Sequence, residues 1–268
     1  MTDSVTPYDA YQRIFALSML ANAASSLHET EHKLENVLYE RLRDFITASA
    51  NSDHKVLNNN PPYPKTKAVE AMGDWELVWG PAVVPKDIFH LEEKQYAKNA
   101  AFVAKTTNMS KVGGNFSEFD HDHTYVVGIA ATNATSFYDW LVEDAKVNEV
   151  VEWSSFDPIT FKPTDATNTP VQSGKQYISA GTAIGVSRLV QDLTSPSWIV
   201  NGANTKLLDF LQGIDGKNAA LIFAGHSLAG ALSPTLAKYY SETVNKNSAK
   251  PFAAVHAYPT AGVLPGNA

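Results

Sequence analysis

Apolar residues recur along this chain in two rhythms. Near the N-terminus the spacing is helical. Residues 8–27 predict an amphipathic helix. Residues 29–48 predict a second, with Leu34, Val37, Leu38, Leu42, Phe45 and Ile46 along one side. The breaker Asn58-Asn59-Asn60-Pro61-Pro62 marks a loop over residues 51–64. Further on, short apolar runs dominate. Residues 75–84 predict a strand, 88–105 a helix, and 111–120 a glycine-rich turn region. Residues 125–130 form an apolar run between turn signals, the pattern of a buried parallel strand. Residues 219–224 and 252–258 repeat it.

Helical segments alternate with these runs. Ser136-x-x-Asp139 is a capping-box pattern that starts a helix at Phe137. Residues 182–193, 205–211 and 228–244 predict three more. Residues 153–174 have no clear period and read as a long surface excursion, a kind of segment that often forms lids or binding loops. Alternating strands and helices imply an α/β fold, with a mostly parallel sheet covered on both faces. One domain is expected over residues 1–268. Residues 1–70 form an N-terminal helical addition and residues 71–268 the core.

Composition narrows the chemistry. The chain has 268 residues, 44% hydrophobic and 18% charged, a net charge of −7 and no cysteine. Disulfides, thiolate catalysis and iron–sulfur clusters are excluded. An acidic chain without a basic run is a poor binder of nucleic acid. No apolar stretch reaches the ~18–20 residues of a membrane-spanning helix. Ile14 to Ala21, with Ala21-Asn22-Ala23 behind it, has some features of a leader peptide. However, Asp3 and Asp9 stand where a positive charge belongs, so an ordinary helix is the expectation. Localisation stays open between cytoplasm and secretion.

The sharpest signal is Ala-Ala-Leu-Ile-Phe-Ala-Gly-His-Ser-Leu-Ala-Gly-Ala-Leu from residue 219: a strand, a tight turn at Ser227 and an immediate helix. A serine hydroxyl is a weak nucleophile and must be lifted clear of the sheet to meet a base and a carbonyl carbon. A sharp strand-to-helix turn does this, and it aims the first helical amides at a developing oxyanion. Small residues at Gly225, Ala229 and Gly230 relieve the crowding such a turn creates. The motif is G-x-S-x-A, with Ala229 where the usual elbow has glycine. Pro234 lies inside the predicted helix and removes an amide.

Gly225 to Leu232 resembles the elbow of the class 3 lipases, the fungal-lipase-like branch of the α/β-hydrolases. Val126 to Asp144 resembles that family's oxyanion strand and the helix after it. Val255 to Thr260, through Pro265-Gly266-Asn267, resembles its next strand and P-x-x-G-N turn. The resemblance implies that Ser227 is the nucleophile and that the amides of Thr132 and Leu228 form the oxyanion hole. It further implies a lipid ester substrate, acylglycerols included, and no metal or organic cofactor. Ala130-Ala131 replaces the family's Arg-Gly before the threonine.

In this fold the acid and the histidine follow the serine along the chain. Only 268 − 227 = 41 residues follow Ser227, and they hold Glu242 and His256 but no aspartate. Glu242 falls on the helix after the elbow and His256 inside a strand, so neither suits its role. The core is therefore expected to be truncated, needing a C-terminal segment or a second copy to complete its sheet. Without a base, Ser227 would lose on the order of 10⁴–10⁶ in rate. A non-catalytic hydrolase-like domain that binds a lipid or a protein partner is the alternative.

Other clusters are weaker. Asp120-His121-Asp122-His123 suggests a metal site, but it lacks a third ligand nearby and reads as a solvated turn. His226 reads as a packed, hydrogen-bonded residue rather than the base. Trp153, Phe156 and Phe161 in the excursion are candidates for a lid or acyl-binding wall, or else ordinary packing. Asn108, Asn115 and Asn133 head glycosylation sequons that read as chance.

Overall fold

A computed structural model describes residues 8–24, 28–45, 71–73, 75–85, 95–107, 109, 121–131, 149–168, 171–199, 201–262 and 265–266. Its centre is a six-stranded sheet in the order β1-β3-β4-β7-β8, with β2 also paired to β3. The strands are β1 His28–Glu29, β2 Glu76–Pro85, β3 Gln95–Thr106, β4 His123–Ala131, β7 Ala219–His226 and β8 Ala254–Thr260. A separate antiparallel pair joins β5 Val150–Glu152 to β6 Tyr177–Ser179. The helices are α1 Ala10–Ala21, α2 Glu31–Phe45, α3 Ala180–Gln191, α4 Leu207–Gln212 and α5 Ala229–Tyr239. A wider π turn, Tyr240–Asn245, continues the last of these.

The sheet alternates its side chains between two cores. Val127, Ile129, Leu221 and Phe223 face one side, where α3, α4 and α5 cover them. Val126, Ala130, Ile222 and Ala224 face the other, under α1 and α2. Both faces are therefore buried, and β4 and β7 read as near-continuous apolar runs for that reason. Helix α1 is fixed at its start by Asp9, whose carboxylate accepts from the Gln12 amide at 2.8 Å, while Gln12 answers to the Asp9 amide. The two N-terminal helices form one of the two layers over the sheet.

Three expectations are corrected. The helix expected over residues 88–105 is a strand from Gln95; residues 86–94 lie outside the described residues. Asn-Ala-Ala-Phe-Val-Ala has no decisive period, and its alanines suit a central strand pressed between two helical layers. Ala100, Phe102 and Ala104 enter one core, Ala101 and Val103 the other. The sheet is mixed rather than mostly parallel. Among the described residues only β4–β7 and β7–β8 are parallel in this sheet, whereas β1–β3, β2–β3 and β3–β4 are antiparallel. Finally, β8 is half-buried at the sheet margin, not a third fully buried strand. Its neighbour among the described residues is β7 alone.

The parallel trio still sets the functional geometry. β4, β7 and β8 run the same way, so their carboxyl ends share one edge. Ligands of open α/β sheets gather at that edge.

Candidate active site

β7 reaches its carboxyl end at His226, and α5 begins at Ala229. Two residues turn the chain between them, and Ser227 pays for the turn with φ of +58°. The left-handed region costs a residue with a Cβ roughly 1–2 kcal/mol. The hydrogen bonds around the turn hold it there. The Ser227 amide donates to the Thr260 carbonyl at 2.9 Å, which ties the elbow to the end of β8. The Gly230 amide donates to the Ser227 carbonyl at 2.9 Å and the Ala231 amide to the Leu228 carbonyl at 3.0 Å. Ser227 itself is exposed, between buried Gly225 and buried Ala229.

The crowding expected at such a turn is present. A Cβ on Gly225 would stand 2.2 Å from the Ala229 carbonyl oxygen. A Cβ on Gly230 would stand 2.7 Å from Gly262 Cα, beyond the end of β8. Gly230 thus lets the start of α5 rest directly on the backbone after β8. Ala229 is fully buried and its methyl group is accommodated, so the departure from G-x-S-x-G does not disturb the turn.

His226 points to the α1 side of the sheet. Its Nδ1 lies 3.1 Å from the Thr260 hydroxyl, which also lies 3.4 Å from the Gly225 carbonyl. The Phe15 ring of α1 meets the imidazole edge-on, with centroids 6.0 Å apart. His226 is thus a packed, hydrogen-bonded residue bracing the turn. Thr260 had no assigned role in the sequence, yet it grips the elbow by both its carbonyl and its hydroxyl. Its place at the end of the strand beside the elbow was the signal for it.

The β4–β7 register pairs Ile129 with Gly225, so Ala131, the last residue of β4, is level with Ser227. Thr132 follows it in sequence and lies outside the described residues, as do Asp139 and Asp144. Leu228 is half-buried at the head of α5, and no hydrogen bond among the described residues uses its amide. His256 is paired with Ile222 inside β8. Five residue steps of extended chain separate that level from Ser227, about 16 Å. His123 opens β4 at the opposite edge, paired with Ala219. His121 and Asp122 precede it in a bend, and Asp120 lies outside the described residues.

The three aromatics of the excursion are not brought to the elbow. Phe156 and Phe161 are buried in the core and Trp153 packs against it. Phe156 contacts Trp153, Phe161 and Tyr239 at centroid distances of 5.8, 5.6 and 6.5 Å. The Trp153 indole N–H donates to Glu242 at 2.9 Å, and the Lys238 ammonium sits 5.1 Å from the centre of its ring. All of this lies at the far end of α5, about 15 Å along the helix from its start. Glu242 is accordingly remote from Ser227.

The backbone as a whole is similar to a known one. The crystal structure of M37 lipase aligns with a TM-score of 0.61 and 25% sequence identity. The alignment covers 97% of this chain. The fold is lipase-like. The chain spans 62% of the length of that lipase. No family model matches the sequence, and no curated protein matches it.

Proposed function

We propose that this protein is a serine carboxylic-ester hydrolase acting on lipid esters through an acyl-enzyme on Ser227. The observation that carries the reading is an exposed serine in a strained strand-to-helix turn at the shared carboxyl edge of a lipase-like sheet. In the first step the Ser227 hydroxyl oxygen attacks the ester carbonyl carbon, and its proton passes to a general base. The tetrahedral oxyanion accepts from the Leu228 amide at the head of α5 and from the Thr132 amide just past β4. The carbon–oxygen bond to the alcohol then breaks, and the base returns the proton to the leaving alkoxide. Water repeats the sequence on the acyl-enzyme and releases the acid.

The base and its acid partner come from outside the described residues in this reading. Among histidines with described side chains, only His226 adjoins Ser227, and its Nδ1 is engaged by Thr260 on the α1 side. No metal or organic cofactor takes part. The chain with its triad complete should label with a fluorophosphonate probe, and Ser227→Ala should abolish the label. No labelling of the natural full-length protein would sink the proposal. It would favour a non-catalytic lipid- or protein-binding domain, the reading that the distance of His256 from Ser227 otherwise supports.

A further inference from the structure

Helix α1 carries two sets of apolar side chains. Ala10, Ile14, Leu17 and Ala21 are fully buried against the sheet. Phe15 and Met19 are each 40% exposed. Four residues apart on a helix, they lie side by side on one face. Single exposed apolar residues are ordinary, as Ile159 and Val171 are here. A neighbouring pair beside an exposed nucleophile is a different matter. Phe15 touches the imidazole of His226, the residue immediately before Ser227. One turn earlier, Tyr11 stacks on Tyr258 of β8 at 5.8 Å and 18°. Tyr11 and Phe15 of the stripe Tyr11–Phe15–Met19 thus lie on Tyr258 of β8 and His226 of β7, towards the edge where Ser227 stands.

The stripe also carries no charge. The sole charged residue of α1 is Arg13; it is buried, and its Nε donates to the Tyr8 carbonyl at 2.9 Å. The exposed face thus suits a ligand that is itself uncharged and apolar.

We infer that Phe15 and Met19 form the surface on which the hydrocarbon chain of the ester's acyl group lies when its carbonyl is at Ser227. The inference rests on the function proposed above and adds a specificity site to it. A chain leaving the elbow on the α1 side meets Phe15 first and Met19 about 6 Å further along the helix axis. Each methylene covered strengthens binding about fourfold. Esters with short acyl groups would not reach Met19, so the stripe selects for chain length. The N-terminal layer then serves both as core and as part of the substrate site.

The test is photo-crosslinking of the full chain by a dodecanoic acid bearing a diazirine on its alkyl chain, used below its micelle concentration. Mass spectrometry should place the label on the peptide containing Phe15 and Met19, and excess dodecanoate should suppress it. Phe15→Ser with Met19→Ser should cut the label about tenfold or more. Met19→Ser alone, at a half-exposed position, serves if the double variant does not fold, and should cut it several-fold. No label on the wild type, label confined to another region, or label unchanged in the folded variant would each overturn the inference. So would concentration-dependent self-association through this face in place of crosslinking, since the occupant would then be a second copy of the chain. Crosslinking at α1 with no phosphonate reaction at Ser227 would instead remove the esterase proposal and leave a hydrocarbon-binding site standing.

Discussion

The two ends of α5 solve opposite problems with the same helix. At its start the backbone is pressed against backbone. Gly225 admits the Ala229 carbonyl, Gly230 meets Gly262, and Ser227 is held in a strained conformation by backbone amides together with the His226 and Thr260 side chains. At its far end, where the helix widens into a π turn, large rings do the packing, with Phe156, Phe161, Tyr239 and Tyr240 in the core. Aromatic richness marks the place where stability is made, while strain and small residues mark the place built for chemistry. Strain held in place by surrounding bonds is a feature of functional sites, whereas buried aromatics chiefly contribute area.

The largest expected effect is at the start. Gly225→Val would place its Cβ 2.2 Å from a backbone oxygen and 2.6 Å from its carbon, neither of which can move without moving α5. Destabilisation above about 4 kcal/mol is expected, beyond the usual range of overpacking. Denaturant melts or loss of soluble protein would register it. A variant as stable as the wild type would mean that the turn is not tight. Next comes the far end. Phe156→Ala removes a ring in contact with three others and should cost about 3 kcal/mol. If the comparison holds, phosphonate labelling of the remaining folded protein should be unchanged. A labelling rate that fell with stability held would restore these aromatics to the substrate site.

What the sequence disclosed follows the same division. The elbow was legible because its demands are local: a glycine, a serine and small residues within six positions, bounded by strand and helix. α1 and α2 were legible because their buried residues recur at helical spacing. β3 was misread because alanine favours a helix on its own, and only the two covering layers make Ala100, Ala101 and Ala104 suit a strand. The half-exposed state of β8 was hidden because burial of an apolar run depends on which strands stand beside it. The exposure of Phe15 was hidden in the sequence because α1 is apolar on more than one side, and only its docking against the sheet separates the buried set from the exposed pair.

A smaller effect of opposite sign tests whether the strain at the elbow is real. Ser227→Gly removes the Cβ that disfavours φ of +58°. Relief of that strain exceeds the greater chain entropy of glycine in the unfolded state, so a gain of about 0.5–1 kcal/mol is expected, with labelling abolished. A serine at an unstrained position would instead lose stability on this change. Thermal melting separates the two cases. Gain of stability with loss of reactivity is the signature of a residue kept for function.

The smallest effect belongs to the far end and depends on pH. The hydrogen bond from Lys238, aided by the bond from the Trp153 indole, holds the Glu242 carboxyl below its ordinary range. A carboxylate with a lowered folded pKa contributes stability that is present above its unfolded value of 4.5 and lost as pH falls through the folded value. Glu242 is largely exposed, so solvent screens the interaction, and its worth is expected to stay under about 0.5 kcal/mol. Glu242→Gln should therefore lower the melting temperature slightly at pH 7, with the deficit shrinking towards pH 3. At neutral pH the rate of labelling at Ser227 should be the same in both proteins. A Glu242→Gln protein that labelled slowly at full stability would show that the two ends of α5 are coupled, and the separation of stability from chemistry along this helix would fail.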